Sequence, residues 1–183
     1  MTTTATGAAP QNRTEPRAGH DDGEPDTTGE TVSALRAEVR RLTDRADLVD
    51  LVDRYVHHLD RDRHRDDWFA DVFTEDAELT LPMGTYEGFS GLAAFQEMAR
   101  TTFERTHHQA SAHAVAVDGD RATVRAHLTA VHVRTAGEPA THFDIGGHYE
   151  ATAVRTPDGW RVNRFSFDLV WSTGQGPQGA PGH

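Results

Sequence analysis

The chain has 183 residues, a formal net charge of -11, 36% hydrophobic residues and no cysteine. The acidic balance argues against a nucleic-acid or anionic-membrane surface, because phosphate groups are bound by clustered Lys and Arg. Without cysteine, disulfides, thiolate metal ligands and a cysteine nucleophile are excluded. No signal peptide or membrane-spanning apolar run of roughly 18 residues is recognisable, so we expect a cytoplasmic protein without membrane contacts.

The N-terminal part of the sequence divides into a tail and a helix. Residues 1–30 are rich in Thr, Gly, Ala, Pro and acidic residues and show no apolar periodicity, which predicts a disordered tail. From Thr31 onward, apolar residues recur every three or four positions and predict an amphipathic helix. It either packs on the domain or on a second subunit, or is a solvated N-terminal extension of the next helix. This pattern continues through Asp44–Leu59, where the apolar stripe ends at Asp60. A carboxylate is disfavoured at a helix C-terminus, which suggests a role for Asp60.

The remaining pattern predicts helices first and long strands afterwards. A second short helix is expected over 65–73, a turn over 74–76, a short strand over 77–81, and a third helix from Ser90 or Gly91 to Phe103. Four long strands in a meander follow, and Gly146-Gly147 in the third of them predicts a bulge or a sharp bend. This segregation predicts an α+β fold in which a curved antiparallel sheet wraps over helices as a cone, with the domain at 31–173 and a flexible tail at 174–183.

A predicted hairpin over 106–134 carries the candidate chemistry. Its turn is Asp118-Gly119-Asp120, a strong hairpin signal between alternating runs. Period-2 alternation puts His132 on the face of Val124, Ala126, Leu128 and Ala130. It also puts His108 on a face with Ala110, Ala112, Ala114 and Ala116. Two histidines on faces of small residues predict a pocket with acid/base groups.

Motifs along the chain resemble a known family in the right order. They are Tyr55, Leu59-Asp60, Asp67-Trp68, Phe73–Ala77, Arg105–His108, Asp118–Asp120, His132, Gly147–Glu150, Asp158–Trp160 and Trp171. From about Ala46 to Gly174 the sequence is similar to the SnoaL-like, scytalone dehydratase-like branch of the NTF2-like superfamily. The resemblance implies an NTF2-like cone and a cofactor-independent reaction.

The resemblance also implies a site. The aspartate and two histidines of scytalone dehydratase fall on Asp60, His108 and His132, whereas its pocket serine and asparagine fall near His148 and Glu150. Its two pocket tyrosines fall on Leu59 and Leu81, where the phenols are missing. We expect catalytic roles for Asp60, His108 and His132, with Asp60 fixing the tautomer of His132. Expected substrate-binding residues are Tyr55, Trp68, Leu81, Tyr86, Leu128, His148 and Glu150.

Such a site suits dehydration, cyclisation or isomerisation of a small hydrophobic substrate of polyketide or aromatic character. The apolar lining is predicted to comprise Trp68, Phe69, Leu81, Met83, Phe95, Leu128 and Phe143. A non-catalytic ligand-binding or oligomerisation module of the same fold is the alternative. No metal ligand set is predicted, since HExxH and similar spacings are absent. Phe165, Phe167 and Trp171 are predicted to form an exposed surface for a homodimer or homotrimer.

Overall fold

The order of elements follows the predicted change from helices to strands. The structure is a computed structural model that describes residues 1–4, 7 and 27–177. The helices are α1 (Thr27–Arg61), α2 (Phe69–Val72) and α3 (Gly88–Thr102), with a short 3-10 helix at Pro139–Thr141. The strands are β1 (Phe73–Leu81), β2 (Gly84–Glu87), β3 (Arg105–Asp118), β4 (Arg121–Val133), β5 (Phe143–Thr156) and β6 (Gly159–Gly174).

The six strands form one sheet in the order β2-β1-β6-β5-β4-β3. The predicted meander of four long antiparallel strands is present as β3 to β6, but β1 joins β6 in parallel and β2 was not predicted. The predicted turn at 74–76 is wrong, because these residues belong to β1, whose pairing with β6 shifts register between Phe73 and Glu78. The second helix is also shorter than predicted.

The helix α1 is continuous over 35 residues. It begins inside the predicted disordered tail, most of which lies outside the described residues. Beyond β6, the chain continues along the domain, since Arg134 donates hydrogen bonds to the backbone oxygens of Gln175 and Gly176. None of the helices within the described residues is long and apolar enough to cross a membrane.

The core lies between the concave face of the sheet and the three helices. The second half of α1 supplies Leu48, Leu51, Val52 and Tyr55, each at most 5% exposed. Facing residues alternate along the strands, as period-2 geometry requires for a sheet with one buried face. In β4 the buried positions are Ala122, Val124, Ala126, Leu128 and Ala130, as the alternation predicted.

A bulge divides β3 into two parts, and the alternation of inward and outward residues is reversed from one part to the other. Ser111 pairs with His127 and Ala114 pairs with Arg125, so three steps along β3 match two steps along β4. Ala112 sits at the bulge with a positive φ of 58°. The predicted face of alanines is therefore wrong beyond Ala110, because the bulge reverses the alternation and turns Ala114 and Ala116 toward solvent.

A second bulge lies opposite Gly146-Gly147, but on the neighbouring strand β6 rather than in β5 as predicted. Gly146 pairs with Trp171 and Gly147 pairs with Leu169, so Val170 is the extra residue of β6. A Cβ on Gly146 would overlap the Trp171 indole, which shows that this ring covers Gly146 on the convex face.

The bulge at Val170 revises the predicted interface. Trp171 was expected on one face with Phe165 and Phe167, but the bulge places it on the opposite one. Phe165 and Phe167 are 4% and 9% exposed and belong to the core. The predicted exposed surface of Phe165, Phe167 and Trp171 is therefore wrong.

Candidate active site

Asp60 lies one residue before the end of α1 and joins this helix to the start of β3. The backbone N–H of His108 donates to Asp60 Oδ2 at 2.8 Å, and the Thr106 hydroxyl lies 2.9 Å from Asp60 Oδ1. His108 Nδ1 lies 2.7 Å from the same Oδ1 atom. These donors satisfy a carboxylate that the helix dipole alone would disfavour.

The hydrogen bonds keep Asp60 ionised. Burial alone would raise the pKa of this carboxyl group, but the ring and backbone N–H of His108, together with Thr106, outweigh burial and hold the pKa below its usual value. Because an ionised carboxylate can only accept, His108 Nδ1 must carry the proton of this hydrogen bond. The Nε2 atom of a neutral His108 is therefore the ring atom with a free lone pair.

His132 has a different environment from the one that we expected. Its Nδ1 donates to the carbonyl oxygen of Phe143 at 2.9 Å, and Asp60 pairs with His108 instead. The predicted Asp60–His132 pair is thus wrong. Strand alternation gives the face of each histidine, whereas the partner depends on which strand lies beside the end of α1, and that strand is β3.

Burial makes His132 a neutral imidazole. Desolvation, followed by the neighbouring His108 ring, lowers the pKa of His132 to about 4. The two rings meet edge to face, with centroids 5.3 Å apart and an angle of 88°. Since a carbonyl only accepts, the proton of neutral His132 is on Nδ1, and Nε2 is an acceptor.

Both histidines line an apolar cavity between the sheet and the helices. Its volume is about 90 Å³, several times the space that one water molecule needs. Tyr55, Leu81 and Leu128 line it, along with Leu59. Other lining side chains include Met83, Phe95, Met98, Phe103, Phe143, Ile145, Tyr149, Phe165, Phe167, Leu169 and Pro177. Within the described part of the chain, the lining includes no Asp, Glu, Lys or Arg.

Two predicted substrate-binding aromatic residues lie behind this cavity. Trp68 is 3% exposed, stacks on His58 and donates its indole N–H to the backbone oxygen of Arg65. It is a core residue, as is Phe69. Tyr86 packs against Phe95 with ring centroids 5.2 Å apart, and it is Phe95 that reaches the cavity.

His148 and Glu150 lie on the convex face and are also corrected. His148 packs against His127, and Glu150 pairs with Arg125 at 2.6 Å. The inward position between them is Tyr149, which is 3% exposed and lines the cavity. The alternation of Gly147, Tyr149, Ala151 and Ala153 would have identified this inward face.

Arg63 is a further residue that sequence reasoning missed. Its side chain is buried and donates to the backbone oxygens of Ala99 and Phe103 at 3.1 and 2.6 Å, at the end of α3. Both acceptor residues line the cavity. Arg63 therefore fixes one cavity wall relative to Asp60, and desolvation lowers its own pKa. No group of three His, Asp or Glu side chains among the described residues has the geometry of a metal site.

Comparisons with known proteins agree with this architecture. Residues 40–166 match the family of SnoaL-like domains. A provisionally assigned scytalone dehydratase from Novosphingobium aromaticivorans is 25% identical, with a TM-score of 0.67 over 76% of this chain and 93% of that one. An NTF2-like protein with a cystatin-like fold from the same organism is 27% identical, with a TM-score of 0.61 over 81% and 92%.

A third solved structure shares the fold at lower identity. It is a hexachlorocyclohexane dehydrochlorinase of Novosphingobium barchaimii, 19% identical, with a TM-score of 0.65 over 74% of this chain and 92% of the other. No protein of curated function shows significant similarity to the chain.

Proposed function

Because the chain belongs to the family of SnoaL-like domains, we propose that it is a cofactor-independent acid/base enzyme that dehydrates a small, uncharged, hydrophobic substrate. The observation that supports this most directly is the Asp60–His108 pair at the wall of an apolar cavity. A histidine held by a carboxylate is a general base that works near neutral pH. The likeness to a scytalone dehydratase favours dehydration within this chemistry.

The proton positions suggest the order of events. His108 Nε2 removes a proton from the carbon beside a substrate carbonyl, and the electron pair enters the enolate. Asp60 stabilises the imidazolium that forms. The imidazolium then returns the proton to the β-hydroxyl group, the C–O bond breaks, and water and an α,β-unsaturated carbonyl compound leave. One base thus serves both steps on one face of the substrate.

His132 has a separate part in this proposal. Its neutral ring offers Nε2 as a hydrogen-bond acceptor, which suits a substrate hydroxyl group. A protonated His132 would repel the His108 imidazolium. Because the pKa of His132 is about 4, its ring stays neutral when His108 takes up the proton. Burial also raises the pKa of Tyr55, so this cavity-lining phenol stays protonated as a donor where the family's tyrosines are replaced by Leu59 and Leu81.

The lining also limits the substrate. A carboxylate or phosphate group would lose its hydration in this cavity without a cationic partner among the described lining residues. We therefore infer a neutral ligand of aromatic or polyketide character. Cyclisation and isomerisation begin with the same proton removal, and they differ in where the imidazolium returns the proton.

The test is turnover of a panel of β-hydroxy ketones in D₂O, followed by NMR for both the unsaturated product and exchange of the C–H proton. His108→Gln should lower the rate by roughly 100-fold or more, as expected for loss of a general base. His127→Gln is the matched control, since this ring packs against His148 on the convex face, away from the cavity, and it should retain activity.

The panel also separates the alternatives. Exchange without elimination would favour isomerisation, and ring-closed products would favour cyclisation. Binding of the ketones by the native protein without exchange or turnover would refute the enzyme proposal and favour a ligand-binding module. Equal loss in both variants would refute the assignment of His108 as the base.

A further inference from the structure

The first half of α1 carries a row of exposed apolar side chains. Val32, Leu35, Val39 and Leu42 are 40%, 60%, 62% and 51% exposed, and every residue from 28 to 43 is exposed. A helix so poorly covered gains little from tertiary packing, which normally provides most helical stability. We propose that this row, the α1 stripe, joins two copies of the chain in a parallel two-stranded coiled coil.

The spacing of the stripe fits a coiled coil. Apolar residues alternate at intervals of three and four and extend beyond the four exposed positions, as Val32, Leu35, Val39, Leu42, Ala46 and Val49. This is the a/d pattern of a heptad repeat over nearly three heptads. Val at position a with Leu at position d favours parallel pairs of helices. Here Val32 and Val39 occupy a, and Leu35 and Leu42 occupy d.

The stripe faces away from the protein's own core. The core-facing residues of α1 are Leu48, Leu51, Val52, Tyr55 and Leu59. At 100° per residue, the centre of the stripe lies roughly 150° around the helix from the centre of these residues. A two-fold axis along the stripe therefore places the two domains on the outer sides of the paired helices, where they do not obstruct each other.

The charges beside the stripe also suit a second copy. In a parallel pair, each g position faces the e position five residues later in the partner. Arg45 then faces the partner's Asp50, and Glu38 faces the partner's Thr43. Arg45 uses one NH₂ group on the backbone oxygen of His113 and has further donors. Between residues 27 and 50 there are four Arg and five acidic residues, a balance that disfavours an anionic membrane as occupant.

Sedimentation of the full chain tests the proposal. Leu35→Glu/Leu42→Glu places charges at two d positions that are exposed in the single protomer, so the domain should fold, as circular dichroism would verify. We expect this variant to sediment at half the mass of the native protein. Ala34→Glu/Ala37→Glu adds the same charge outside the stripe and should keep the native mass. A monomeric native protein, or equal masses for the native and Leu variants, would overturn the proposal.

A second measurement tests the parallel orientation. Because the chain has no cysteine, Leu35→Cys introduces a single thiol. In a parallel pair the two copies of this residue face each other, and mild oxidation should link them rapidly. Ala34→Cys, on the outer side, should link much more slowly. Equal rates would overturn the parallel coil, as would flotation of a monomeric chain with phosphatidylserine vesicles.

Discussion

Replacement of Asp60 by Asn isolates the charge of the catalytic pair. In the native site both carboxylate oxygens accept: Oδ1 from Thr106 and the His108 ring, and Oδ2 from the His108 backbone N–H. An amide has one oxygen, so its NH₂ group must face one of these donors. The variant therefore loses a charge-assisted hydrogen bond and leaves a donor unpaired.

The size of the effect follows from that lost interaction. A hydrogen bond to a charged group is worth about 1.5–3 kcal/mol, and about 1.4 kcal/mol corresponds to a factor of ten in rate. We therefore expect kcat/KM for the ketone panel to fall roughly 10- to 150-fold in Asp60→Asn. Stability should also change with pH. The lowered pKa of Asp60 contributes stability above the unfolded-state pKa of about 3.9, and this is lost as pH falls through the folded-state pKa.

The assay is the NMR turnover measurement, combined with urea unfolding at neutral and acid pH. The matched control is Asp62→Asn, which removes a carboxylate that pairs with His58 away from the cavity. Native turnover in a well-folded Asp60→Asn protein would refute the role of the Asp60–His108 pair. An equal loss of turnover in Asp62→Asn would show that the effect is not specific to the Asp60 carboxylate, and it would contradict this reasoning.

Two further predictions concern His132 and the glycine bulge. Native His132 resists protonation down to about pH 4, whereas the unfolded residue binds a proton near pH 6.5; the free energy of unfolding should therefore fall by up to about 3 kcal/mol as pH decreases across this interval. His132→Asn, which can still donate to Phe143, should flatten that part of the urea-unfolding profile, and an unchanged slope would contradict the pKa assignment. Gly147→Ala should destabilise the protein by about 1–3 kcal/mol, because its Cβ would overlap the backbone oxygen of Asp168. Gly146→Ala should destabilise the protein less, because its Cβ would meet the Trp171 side chain, which can move, and the double variant Gly146→Ala/Trp171→Ala should lose less stability still. A greater loss of thermal stability in Gly146→Ala than in Gly147→Ala would contradict this packing.

The sequence was sufficient for the elements whose periodicity is long and regular. The four long strands and the 118–120 turn are present as predicted, because alternation and turn residues are local signals. The two glycines marked the position of a bulge, but its extra residue is in the neighbouring strand β6. The parallel pairing of β1 with β6 joins segments about ninety residues apart, and local patterns carry little information about it. The bulge in β3 was not predicted for a different reason, because the segment from Ser111 to Ala114 contains no glycine that would indicate it.

The candidate site was predictable as a set of residues but not as a set of pairs. Asp60, His108 and His132 lie near one another, and the mismatch of Asp60 with the helix dipole was the clearest local signal. Asp60 pairs with His108 because β3 is the strand that lies beside α1, and this long-range packing cannot be derived from local patterns. His148 and Glu150 were assigned to the pocket by their correspondence with pocket residues of scytalone dehydratase, whereas the inward run through Tyr149 places both on the convex face. The substrate-binding and catalytic roles stay predictions until turnover is measured.

The bulge in β3 has a consequence for insertions and deletions. Ala112 and His113 together lie opposite a single position of β4. If Ala112 were deleted, all the remaining residues of the hairpin would therefore stay on their present faces. Such a deletion would also remove a non-glycine residue from the left-handed region of backbone conformation. It would change the curvature of the sheet above α1, since bulges increase local twist. The length of this strand could therefore vary among relatives, or be varied by design, while His108 and its carboxylate remain in place.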